Sequence, residues 1–417
     1  MNEIEKELLR KAVEYSYTIE MYRMMYAGRR YDNFFELPFL RKKDLIEDQK
    51  KYPPFGSGVT NYINQVKRIH RTSGTADVPL LLALTDNDIK NVIATGKKAF
   101  IMAGISENDV VINCMNYCMW MGGFMDHQSL EATGAAVIPY GVGNTENLIQ
   151  IIRSIPDVCI HATPSYLGTI ERIAREKYGI TPFDLHIKKG FFGGEGGLDD
   201  ENYRNKLEEK WGMDIYNANY GMSEVMSIIA SEGKEKDGLH FIAGEKLYPE
   251  LYIKEKKIAL NNFIRKGAVG ELILSNRCKE SQPLIRYATG DVIEILDAEE
   301  NEEVLNFRFR VKGRSDDMLV VKGINFYPNA VQTLISEYAE FNGNFQIQVM
   351  GKGIIDYVRL IVELNDSYEA NICEGLKNML KNDIRRKYFV SCDIELTKQI
   401  ERLGNKLQLV KRVEKFE

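Results

Sequence analysis

Two turns late in the chain carry side chains that could bind a sugar or support a hinge. The strand-like run at 284–287 ends in Thr289-Gly290-Asp291, which leaves a carboxylate at the tip of a turn. A second run, 307–311, alternates apolar residues with arginines and is broken by Gly313-Arg314-Ser315-Asp316-Asp317. Acidic groups and an arginine around such a break are typical of a polyol-binding and hinge region between two bodies. Turns of this composition are also common as solvent-exposed loops.

An earlier loop is rich in hydroxyl groups. A strand is predicted at 66–69, and it continues into His70-Arg71-Thr72-Ser73-Gly74-Thr75; a second strand is predicted at 80–84. Hydroxyl groups together with unpaired backbone N–H groups form concavities that bind phosphate oxygens. No Gly-Lys-Ser/Thr follows, so the loop is not a Walker loop. An ordinary Ser/Thr-rich hairpin is the alternative.

The elements that position these residues alternate between strand and helix patterns from residue 85 to 224. Strands are predicted within residues 109–116, 136–141, 158–164, 188–197 and 214–224. Helices are predicted from Thr85 as N-cap, over 122–135 after two glycines, over 145–155, over 165–179 with Ser165 as N-cap, and over 199–211. This alternation predicts a doubly wound parallel sheet, in which ligands bind beyond the carboxyl ends of the strands.

Three segments rich in glycine or polar residues lie at such strand ends. They are Gly193-Gly194-Glu195, Tyr220-Gly221-Met222-Ser223-Glu224 and the aromatic-glycine segment at 118–123. Residues 225–311 then read as antiparallel strands, and the last stretch of about 100 residues has a β-α-β-β-α-β order, the size of a small domain. We therefore predict an α/β protein. A large N-terminal domain, 1–314, holds doubly wound mixed sheets and a β-rich subdomain, and a small mobile α+β C-terminal domain spans 315–417.

Composition excludes several classes of protein. The chain has 417 residues, 44% of them apolar, with a net charge of −5, and it has no clustered basic face for nucleic acid. The charged N-terminus is not a signal peptide, and the longest apolar stretch is too short and polar to cross a membrane. Six cysteines in this length predict reduced thiols and a cytoplasmic location. Zinc is not predicted, because neither Cys114 with Cys118 nor His240 has matching ligands.

Five ordered motifs together resemble the adenylate-forming superfamily, which includes acyl-CoA synthetases, adenylation domains and luciferases. The motifs are similar above all to those of its phenylacetate–CoA ligase branch, and the resemblance covers nearly the whole chain. They are LPFLRKKDL followed by PFG, the segment that begins NYCMWMGGF, YGMSE, ATGD, and GRSDDMLVVKGINFYP. No single motif is specific, but five in order are.

The resemblance implies a reaction in two halves. A carboxylate attacks the α-phosphorus of ATP to give an acyl-adenylate and pyrophosphate, and a thiol, usually coenzyme A, then displaces AMP. Both halves depend on charge neutralisation and positioning. Mg²⁺ is implied as a further cofactor. Two alternatives stay open: an adenylation enzyme that loads the phosphopantetheine of a carrier protein in trans, and a nucleotide-binding regulator that has lost turnover. A homodimer is also left open.

The resemblance also implies a nucleotide site. Thr72, Ser73, Gly74 and Thr75 would wrap the β- and γ-phosphates, and Gly193, Gly194 and Glu195 would lie beside adenine. The YGMSE motif and the residue before it would complete this site. Tyr220 would stack on adenine, Gly221 would allow close approach, and Ser223 would reach the α-phosphate; Asn219 and Met222 belong to the same site. Asp291 would accept both ribose hydroxyls, and Arg314 would contact ribose or phosphate.

Catalysis and domain movement are implied to involve four further positions. Glu224 would hold Mg²⁺, a hard cation that prefers oxygen ligands. Lys406 would neutralise the carboxylate and phosphate charges during adenylation; its competitor, Lys411, lacks the glycine turn. Asp316 would be the hinge, and Gly323 would lie along the pantetheine path.

The implied acyl pocket is apolar and flat, which favours an aryl or arylacetic acid over a long-chain fatty acid. Its predicted lining is Tyr117, Met119, Trp120, Gly122, Gly123, Phe124 and His127. Tyr117, His127 and Asn219 could read a ring hydroxyl or amino group. A structural role for His127 is an equal alternative.

The phosphate loop departs from the family pattern. Relatives usually have Ser-Gly-Thr-Thr-Gly-Lys-Pro, whereas this chain has Ser73-Gly74-Thr75-Ala76-Asp77-Val78-Pro79. Asp77 and Val78 therefore stand where a glycine and a lysine are usual. An added negative charge near a triphosphate is unfavourable unless it faces away. We expect weaker affinity for ATP or pyrophosphate, without loss of activity.

Overall fold

The computed structural model of the protein describes residues 1–59, 63–72, 79–253, 258–260, 265–299, 306–315, 319–321, 324–326, 328–350, 355, 357–365, 368, 373–388, 390–401 and 407–413. The chain divides into two compact units. The first comprises Met1–Gly141 and Tyr216–Arg310, and the second comprises Val142–Ile215 and Val311–Glu417. The domain boundary between residues 314 and 315 stays a prediction.

Three helices begin the first unit. They are α1 (Glu3–Thr18), α2 (Glu20–Tyr26) and α3 (Lys42–Lys51). Tyr22 on α2 is fully buried. Its hydroxyl donates to Pro283 O at 3.0 Å and accepts from Ile285 N at 2.8 Å. Because a buried tyrosine hydroxyl needs such partners, this residue fixes α2 to the stretch that leads into the Asp291 turn.

A two-stranded hairpin follows and carries the predicted phosphate loop. Its strands are β1 (Val66–Arg71) and β2 (Leu81–Thr85), which pair in antiparallel fashion. The predicted strand-loop-strand arrangement is confirmed. Thr85 then starts α4 (Asp86–Met102) through a capping box with Asp88, as the sequence predicts.

The parallel part of the first unit consists of β3 (Val110–Asn113) and β4 (Ala136–Ile138), joined by α5 (Met121–Glu131). α5 begins at Met121, so Gly122 and Gly123, expected before the helix, lie in its first turn. Helices α4 and α5 pack closely at Gly96. A Cβ atom at this position would lie 2.2 Å from Ser129 Oγ, which explains the glycine in a helix interior.

The antiparallel part of the first unit matches the prediction for residues 225–311. Its strands are β7 (Asp214–Met222), β8 (Met226–Glu232), β9 (Leu239–Phe241), β10 (Leu247–Ile253), β11 (Ile258–Leu260), β12 (Val269–Asn276), β13 (Tyr287–Glu299) and β14 (Asn306–Arg314). Antiparallel pairs join β7 to β8, β8 to β9, β9 to β14, β10 to β11 and β12, and β12 to β13.

The second unit begins with alternating helices and strands. They are α6 (Thr145–Ser154), β5 (Cys159–Ala162), α7 (Tyr166–Ile173), β6 (Lys189–Gly193) and α8 (Glu201–Trp211). β5 and β6 pair in parallel, as predicted. The helix predicted over 165–179 is α7 followed by a π-helical turn, Ala174–Tyr178, which ends at Gly179 with φ 64°.

The rest of the second unit follows the predicted β-α-β-β-α-β order, except that a hairpin replaces the first strand and a further strand follows the last. Its elements are β15 (Leu319–Val321), β16 (Ile324–Phe326), α9 (Asn329–Ser336), β17 (Phe341–Met350), β18 (Tyr357–Leu364), α10 (Cys373–Tyr388), β19 (Asp393–Thr397) and β20 (Val410–Arg412). The sheet order is β19-β18-β17-β20, and β15 pairs with β16 as a hairpin. The sequence pattern did not predict β20, which is only three residues long.

These elements confirm the predicted mixed α/β class. The buried core of the last sheet includes Phe345, Ile347 and Val362 on the strands, Leu334 on α9 and Leu380 on α10. Each of these side chains is apolar and lies at a face-directed position, so burial of the sheet against two helices stabilises this part of the chain. None of the described helices is long and apolar enough to cross a membrane.

Candidate active site

Asp291 lies in a turn that the surrounding strands hold through hydrogen bonds. Its Oδ2 accepts a hydrogen bond from the Tyr220 hydroxyl at 2.7 Å. Its backbone N–H donates to Thr289 Oγ1 at 3.0 Å, and Gly290 N donates to Glu271 Oε1 at 3.1 Å. Gly290 has φ 82°, a conformation that favours glycine. The structure thus brings together two predicted nucleotide residues, Tyr220 and Asp291.

Tyr220 is oriented by a second aromatic residue. Its ring lies edge-on to Phe309, with the centroids 5.3 Å apart. Gly221 follows on β7, where a Cβ atom would lie 2.1 Å from Ser227 O on β8. The family resemblance implied that this glycine allows adenine to approach closely. The neighbouring strand supplies an independent reason, because only glycine fits against it.

Glu224 is buried between two lysines. Met222 O accepts from Val225 N at 3.0 Å, so Ser223 and Glu224 lie in the turn between β7 and β8. Lys42 Nζ is 2.7 Å from Glu224 Oε1. Lys279 Nζ donates to Glu224 O at 2.5 Å. Burial lowers the pKa of Lys279 to about 8.

Sequence reasoning missed both lysines. Lys42 belongs to LPFLRKKDL, which was singled out as a family signature without a role. Leu40 in the same segment pairs with β13: Leu40 N donates to Arg286 O at 3.0 Å, and Leu40 O accepts from Ala288 N at 2.8 Å. This added pairing fixes the direction in which the chain enters α3, and Lys42 follows two residues later.

Arg41 links the same segment to the Asp291 turn. Its Nη1 is 3.4 Å from Glu271 Oε1, the oxygen that accepts from Gly290 N. Two consecutive basic residues therefore contact the two regions predicted to bind nucleotide. Arg41 lies beside the ribose turn, and Lys42 lies beside Glu224.

Thr72 closes the neck of the phosphate loop. Its backbone N–H donates to Leu80 O at 2.9 Å, and its Oγ1 accepts from Leu80 N at 3.1 Å. Thr72 is buried. Its hydroxyl oxygen thus has a structural partner, which the sequence did not reveal. Ser73, Gly74, Thr75, Asp77 and Val78 lie outside the described residues.

The predicted acyl pocket contains a hydrogen-bonded chain of side chains. Tyr117 Oη accepts from Asn113 Nδ2 at 2.8 Å and lies 3.1 Å from His127 Nδ1. His127 Nε2 lies 3.2 Å from Glu131 Oε1. In the tautomer whose Nε2–H donates to Glu131, Nδ1 accepts a hydrogen bond from the Tyr117 hydroxyl. Burial raises the pKa of Tyr117 to about 12, which keeps its hydroxyl protonated at neutral pH.

The remaining pocket residues lie at the start of α5. Met119 has φ 63°, and its carbonyl accepts from Arg71 N at 2.8 Å. The guanidinium of Arg71 lies 5.8 Å from the centre of the Trp120 ring. A Cβ atom at Gly123 would lie 2.1 Å from Asn116 O, so the loop before α5 requires this glycine. Phe124 is partly exposed and lies under the guanidinium of Arg68, 4.5 Å from its ring centre.

Asn219 and Asp126 form a buried polar pair on β7 and α5. Asn219 Nδ2 donates to Asp126 Oδ2 at 2.6 Å, and both side chains are buried. The same Oδ2 lies 3.5 Å from the position of a Cβ at Gly122. Asp126 was missed from the sequence because nothing marks one aspartate inside a helix as a partner of a distant strand.

The predicted adenine and ribose residues of the second unit have partners of their own. Gly193 ends β6, and Gly194 follows with φ 77°. The carboxylate of Glu195 accepts from Ser165 N at 3.2 Å and from Ser165 Oγ at 3.0 Å. Ser165 occupies the N-cap position of α7, as predicted, but its hydroxyl donates to Glu195 and makes no cap bond. Arg314 is the last residue of β14.

Three further predicted residues, Asp316, Gly323 and Lys406, also lie outside the described residues. Lys411, the competitor of Lys406, is on β20 and pairs with Gln348 in the sheet. Within the part of the chain that the structure describes, no group of three or more His, Cys, Asp or Glu side chains could hold a metal ion.

Comparison with known proteins places this site in a family. The chain is 30% identical to phenylacetate-coenzyme A ligase of Escherichia coli (strain K12) over 393 residues, which covers 91% of this chain and 87% of that protein. It is also 30% identical to phenylacetate-coenzyme A ligase of Pseudomonas putida over 396 residues, 91% of this chain and 85% of that protein. The chain belongs to the phenylacetate–CoA ligase family. It is therefore an AMP-forming acid–thiol ligase of the adenylate-forming superfamily.

Two further comparisons agree with this membership. Residues 323–413 match the family model of the AMP-binding enzyme C-terminal domain. The fold is similar to a crystal structure of 2-hydroxyisobutyryl-CoA ligase in complex with 2-HIB-AMP. The TM-score is 0.85 at 22% identity, and the match covers 98% of this chain and 89% of that chain. At this identity the structure shows the shared fold alone.

Proposed function

We propose that this acid–thiol ligase activates an aryl or arylacetic acid with ATP and transfers the acyl group to coenzyme A. The contact between the Tyr220 hydroxyl and Asp291 carries the proposal, because it joins two predicted nucleotide residues in one described site. The names of the curated relatives support coenzyme A as the acceptor and phenylacetate as a model for the acid.

The nucleotide roles follow from the partners of each side chain. Tyr220 donates to one oxygen of Asp291, and a carboxylate in this position is suited to accept ribose hydroxyls. Phe309 holds the Tyr220 ring edge-on, so the ring face can stack on adenine. In this proposal Gly193, Gly194 and Glu195 lie beside adenine, and Arg314 contacts ribose or phosphate. Thr72 holds the neck of the loop, whose residues Ser73, Gly74 and Thr75 wrap the β- and γ-phosphates.

Glu224 is the residue proposed to hold Mg²⁺. Its buried carboxylate already has a cationic partner in Lys42, and a carboxylate oxygen is a ligand that Mg²⁺ prefers. One carboxylate suits an ion that phosphate oxygens and water otherwise coordinate. When bound, Mg²⁺ supplies charge neutralisation at the phosphates. The chain itself fixes Glu224 through the Lys279 contact to its carbonyl. In this proposal Ser223, in the same turn, contacts the α-phosphate.

The acyl pocket is proposed from its aromatic character. Tyr117, Trp120 and Phe124 offer flat apolar faces, and Tyr117, His127 and Asn219 supply polar groups. Tyr117 and His127 already bond to each other. This contact favours a substrate acid whose ring carries few polar groups. An aryl or arylacetic acid fits such a lining better than an aliphatic chain.

The thioester half of the reaction is proposed to need a mobile C-terminal domain at 315–417. The match of residues 323–413 to a C-terminal domain family supports the boundary. Asp316 is then the hinge, Gly323 lies on the pantetheine path, and Lys406 acts during adenylation. Loading of a carrier protein in trans is the alternative second half, and comparison of coenzyme A with a holo-carrier as acceptor distinguishes the two.

The proposal is tested with ATP–pyrophosphate exchange across a panel of aryl and arylacetic acids that includes phenylacetate. We expect exchange that depends on the acid, followed by AMP release and thioester formation when coenzyme A is added. Glu224→Gln is the matched variant, and it should lower exchange by orders of magnitude. Absence of exchange with every acid would contradict the proposal.

A further inference from the structure

The hairpin that carries the phosphate loop lies apart from the larger sheets. It forms a two-stranded sheet of β1 and β2, so no strand among the described residues pairs with the other edge of β2. In an antiparallel pair, the residues that bond to the partner strand alternate. Leu80 bonds to Thr72 on the β1 side. Leu81 and Ala83 therefore direct their backbone groups away from β1, toward an edge that needs other partners.

Two glutamine side chains bond to this edge. Gln49 Oε1 accepts from Leu81 N at 3.0 Å, and its Nε2 donates to Leu81 O at 2.6 Å. Gln282 Oε1 accepts from Ala83 N at 3.0 Å, and its Nε2 donates to Leu81 O at 3.0 Å and to Phe55 O at 2.7 Å. A side-chain amide offers a donor and an acceptor, as a peptide group does, so the two glutamines take the place of a neighbouring strand.

The segment that bears Gln282 also contacts Glu224. Lys279, three residues before Gln282, donates to Glu224 O at 2.5 Å. Asp88 fixes the residues between them: its Oδ1 accepts from Glu280 N at 2.9 Å, and its Oδ2 accepts from Ser281 N at 3.2 Å. The segment 279–282 is therefore a short rigid connection between the hairpin and Glu224.

Backbone geometry indicates that Gln282 is held in place. Its φ is 50°, a left-handed value that side-chain-bearing residues rarely adopt and that carries an energetic cost. The three hydrogen bonds of its amide offset such a cost only if the side chain stays in this position. A cavity of about 30 Å³ lies next to it, lined by both glutamines, Glu224 and Lys279. The glutamines and Glu224 thus share one packed neighbourhood.

We propose that Gln49 and Gln282 are positioning residues that hold the phosphate-loop hairpin at a fixed place relative to Glu224. They touch neither nucleotide nor acid. Adenylation requires the loop and Glu224 to contact one triphosphate together, whereas thioester formation takes place after pyrophosphate has left. The inference rests on the proposed function, and it predicts that loss of either glutamine weakens the first half-reaction selectively.

The test compares Gln282→Met and Gln49→Met with Gln65→Met. Methionine keeps the length of glutamine but removes its hydrogen bonds, and Gln65 is exposed just before β1. Pyrophosphate exchange measures adenylation, and thioester formation from a supplied acyl-adenylate measures the second half. We expect the KM for ATP to rise about ten-fold in Gln282→Met, equivalent to ~1.4 kcal/mol. Gln49→Met should shift it in the same direction.

The second half-reaction should stay within about two-fold of wild type in both variants, because a general folding defect would lower both halves together. Unchanged KM values for ATP, or a parallel loss of both half-reactions, would overturn the proposal. If the variants do not fold, hydrogen exchange of the wild-type protein tests the proposal instead. The backbone amides of Leu81 and Ala83 should be protected, and fast exchange there would contradict the proposed role of the glutamines. An inactive wild type refutes the proposed function. The hydrogen-exchange result then still decides whether the two glutamines hold the hairpin.

Discussion

The charges around Glu224 illustrate what single residues contribute to the site. Its carboxylate is buried and faces Lys42, while the phosphate loop has Asp77 and Val78 where relatives have glycine and lysine. Lys42 is partly exposed, so it can exchange one anionic partner for another at low cost. In the proposed site, Lys42 of the N-terminal segment would therefore supply part of the positive charge near the phosphates.

Replacement of Lys42 should weaken nucleotide binding. We expect Lys42→Ala to raise the KM for ATP about ten-fold, equivalent to ~1.4 kcal/mol, because a positive charge near Glu224 and the phosphates is lost. Lys43→Ala is the matched control, since Lys43 is the next residue of α3 and is exposed. Steady-state kinetics with ATP as the varied substrate measure both. Equal effects of the two variants would show that position 42 has no special role.

The altered phosphate loop leads to a second prediction for single residues. Asp77→Gly combined with Val78→Lys restores the glycine and the lysine of the usual family pattern. We expect the double change to lower the KM for ATP and for pyrophosphate, because it removes one negative charge and adds one positive charge near the triphosphate. The gain should shrink as salt is raised, which screens such interactions. A KM for ATP that stays unchanged at low salt would mean that Asp77 faces away from the nucleotide.

Among the elements, the hairpin β1–β2 contains a buried histidine that is expected to make the stability of the fold depend on pH. His70 on β1 is buried, and its Nδ1 lies 3.2 Å from Met119 O. Burial, with the nearby charge of Arg68 as a smaller cause, lowers the pKa of His70 below its usual value. The unfolded chain then binds a proton at a higher pH than the folded chain does. The stabilising effect of a neutral His70 is present above the unfolded pKa and is lost as pH falls through that value toward the folded pKa.

We expect His70→Gln to flatten the loss of stability between about pH 7 and pH 5.5, a range that contains the ordinary histidine pKa of about 6.5. Urea unfolding at several pH values gives the free energy for wild type and variant. His186→Gln is the control, because His186 is exposed. Parallel pH profiles of wild type and His70→Gln would assign the acid sensitivity to other groups.

The sequence predicted elements better than their partners. The strands β1 and β2 and the capping box at Thr85 follow from local patterns, and the structure has them. The amides of Gln49 and Gln282 could not be predicted, because they bond to a strand that is 32 and 199 residues away. β20 was missed for a different reason, since three residues are too short for an alternating pattern to be recognised.

Within the site, the sequence likewise predicted individual residues but not the contacts between them. Tyr220 and Asp291 were predicted as separate nucleotide contacts, and their mutual hydrogen bond came from the fold. Lys42 and Lys279 look like ordinary surface lysines in the sequence. They approach Glu224 only because Leu40 pairs with β13 and Asp88 holds the 279–282 segment. Long-range pairing of this kind leaves no local pattern.

For the whole molecule, the order of motifs predicted the family. The role of the C-terminal region can be tested because the two half-reactions can be measured separately. The resemblance to the family implies a role in adenylation for Lys406, in Leu403-Gly404-Asn405-Lys406. Its competitor, Lys411, is paired with Gln348 in the sheet, and its Nζ lies 3.7 Å from Glu401 Oε2. Lys411 lies within a strand and lacks the glycine turn that precedes Lys406, which favours Lys406 as the catalytic residue.

We therefore expect Lys406→Ala to lower pyrophosphate exchange by orders of magnitude, because a positive charge that neutralises carboxylate and phosphate in the transition state is lost. Thioester formation from supplied acyl-adenylate should be retained, since that half-reaction follows departure of pyrophosphate. Lys411→Ala should keep both activities. Loss of exchange in Lys411→Ala, with Lys406→Ala unaffected, would exchange the two assignments. Equal loss of both half-reactions in Lys406→Ala would instead indicate damage to the C-terminal sheet, which circular dichroism of the same sample would reveal.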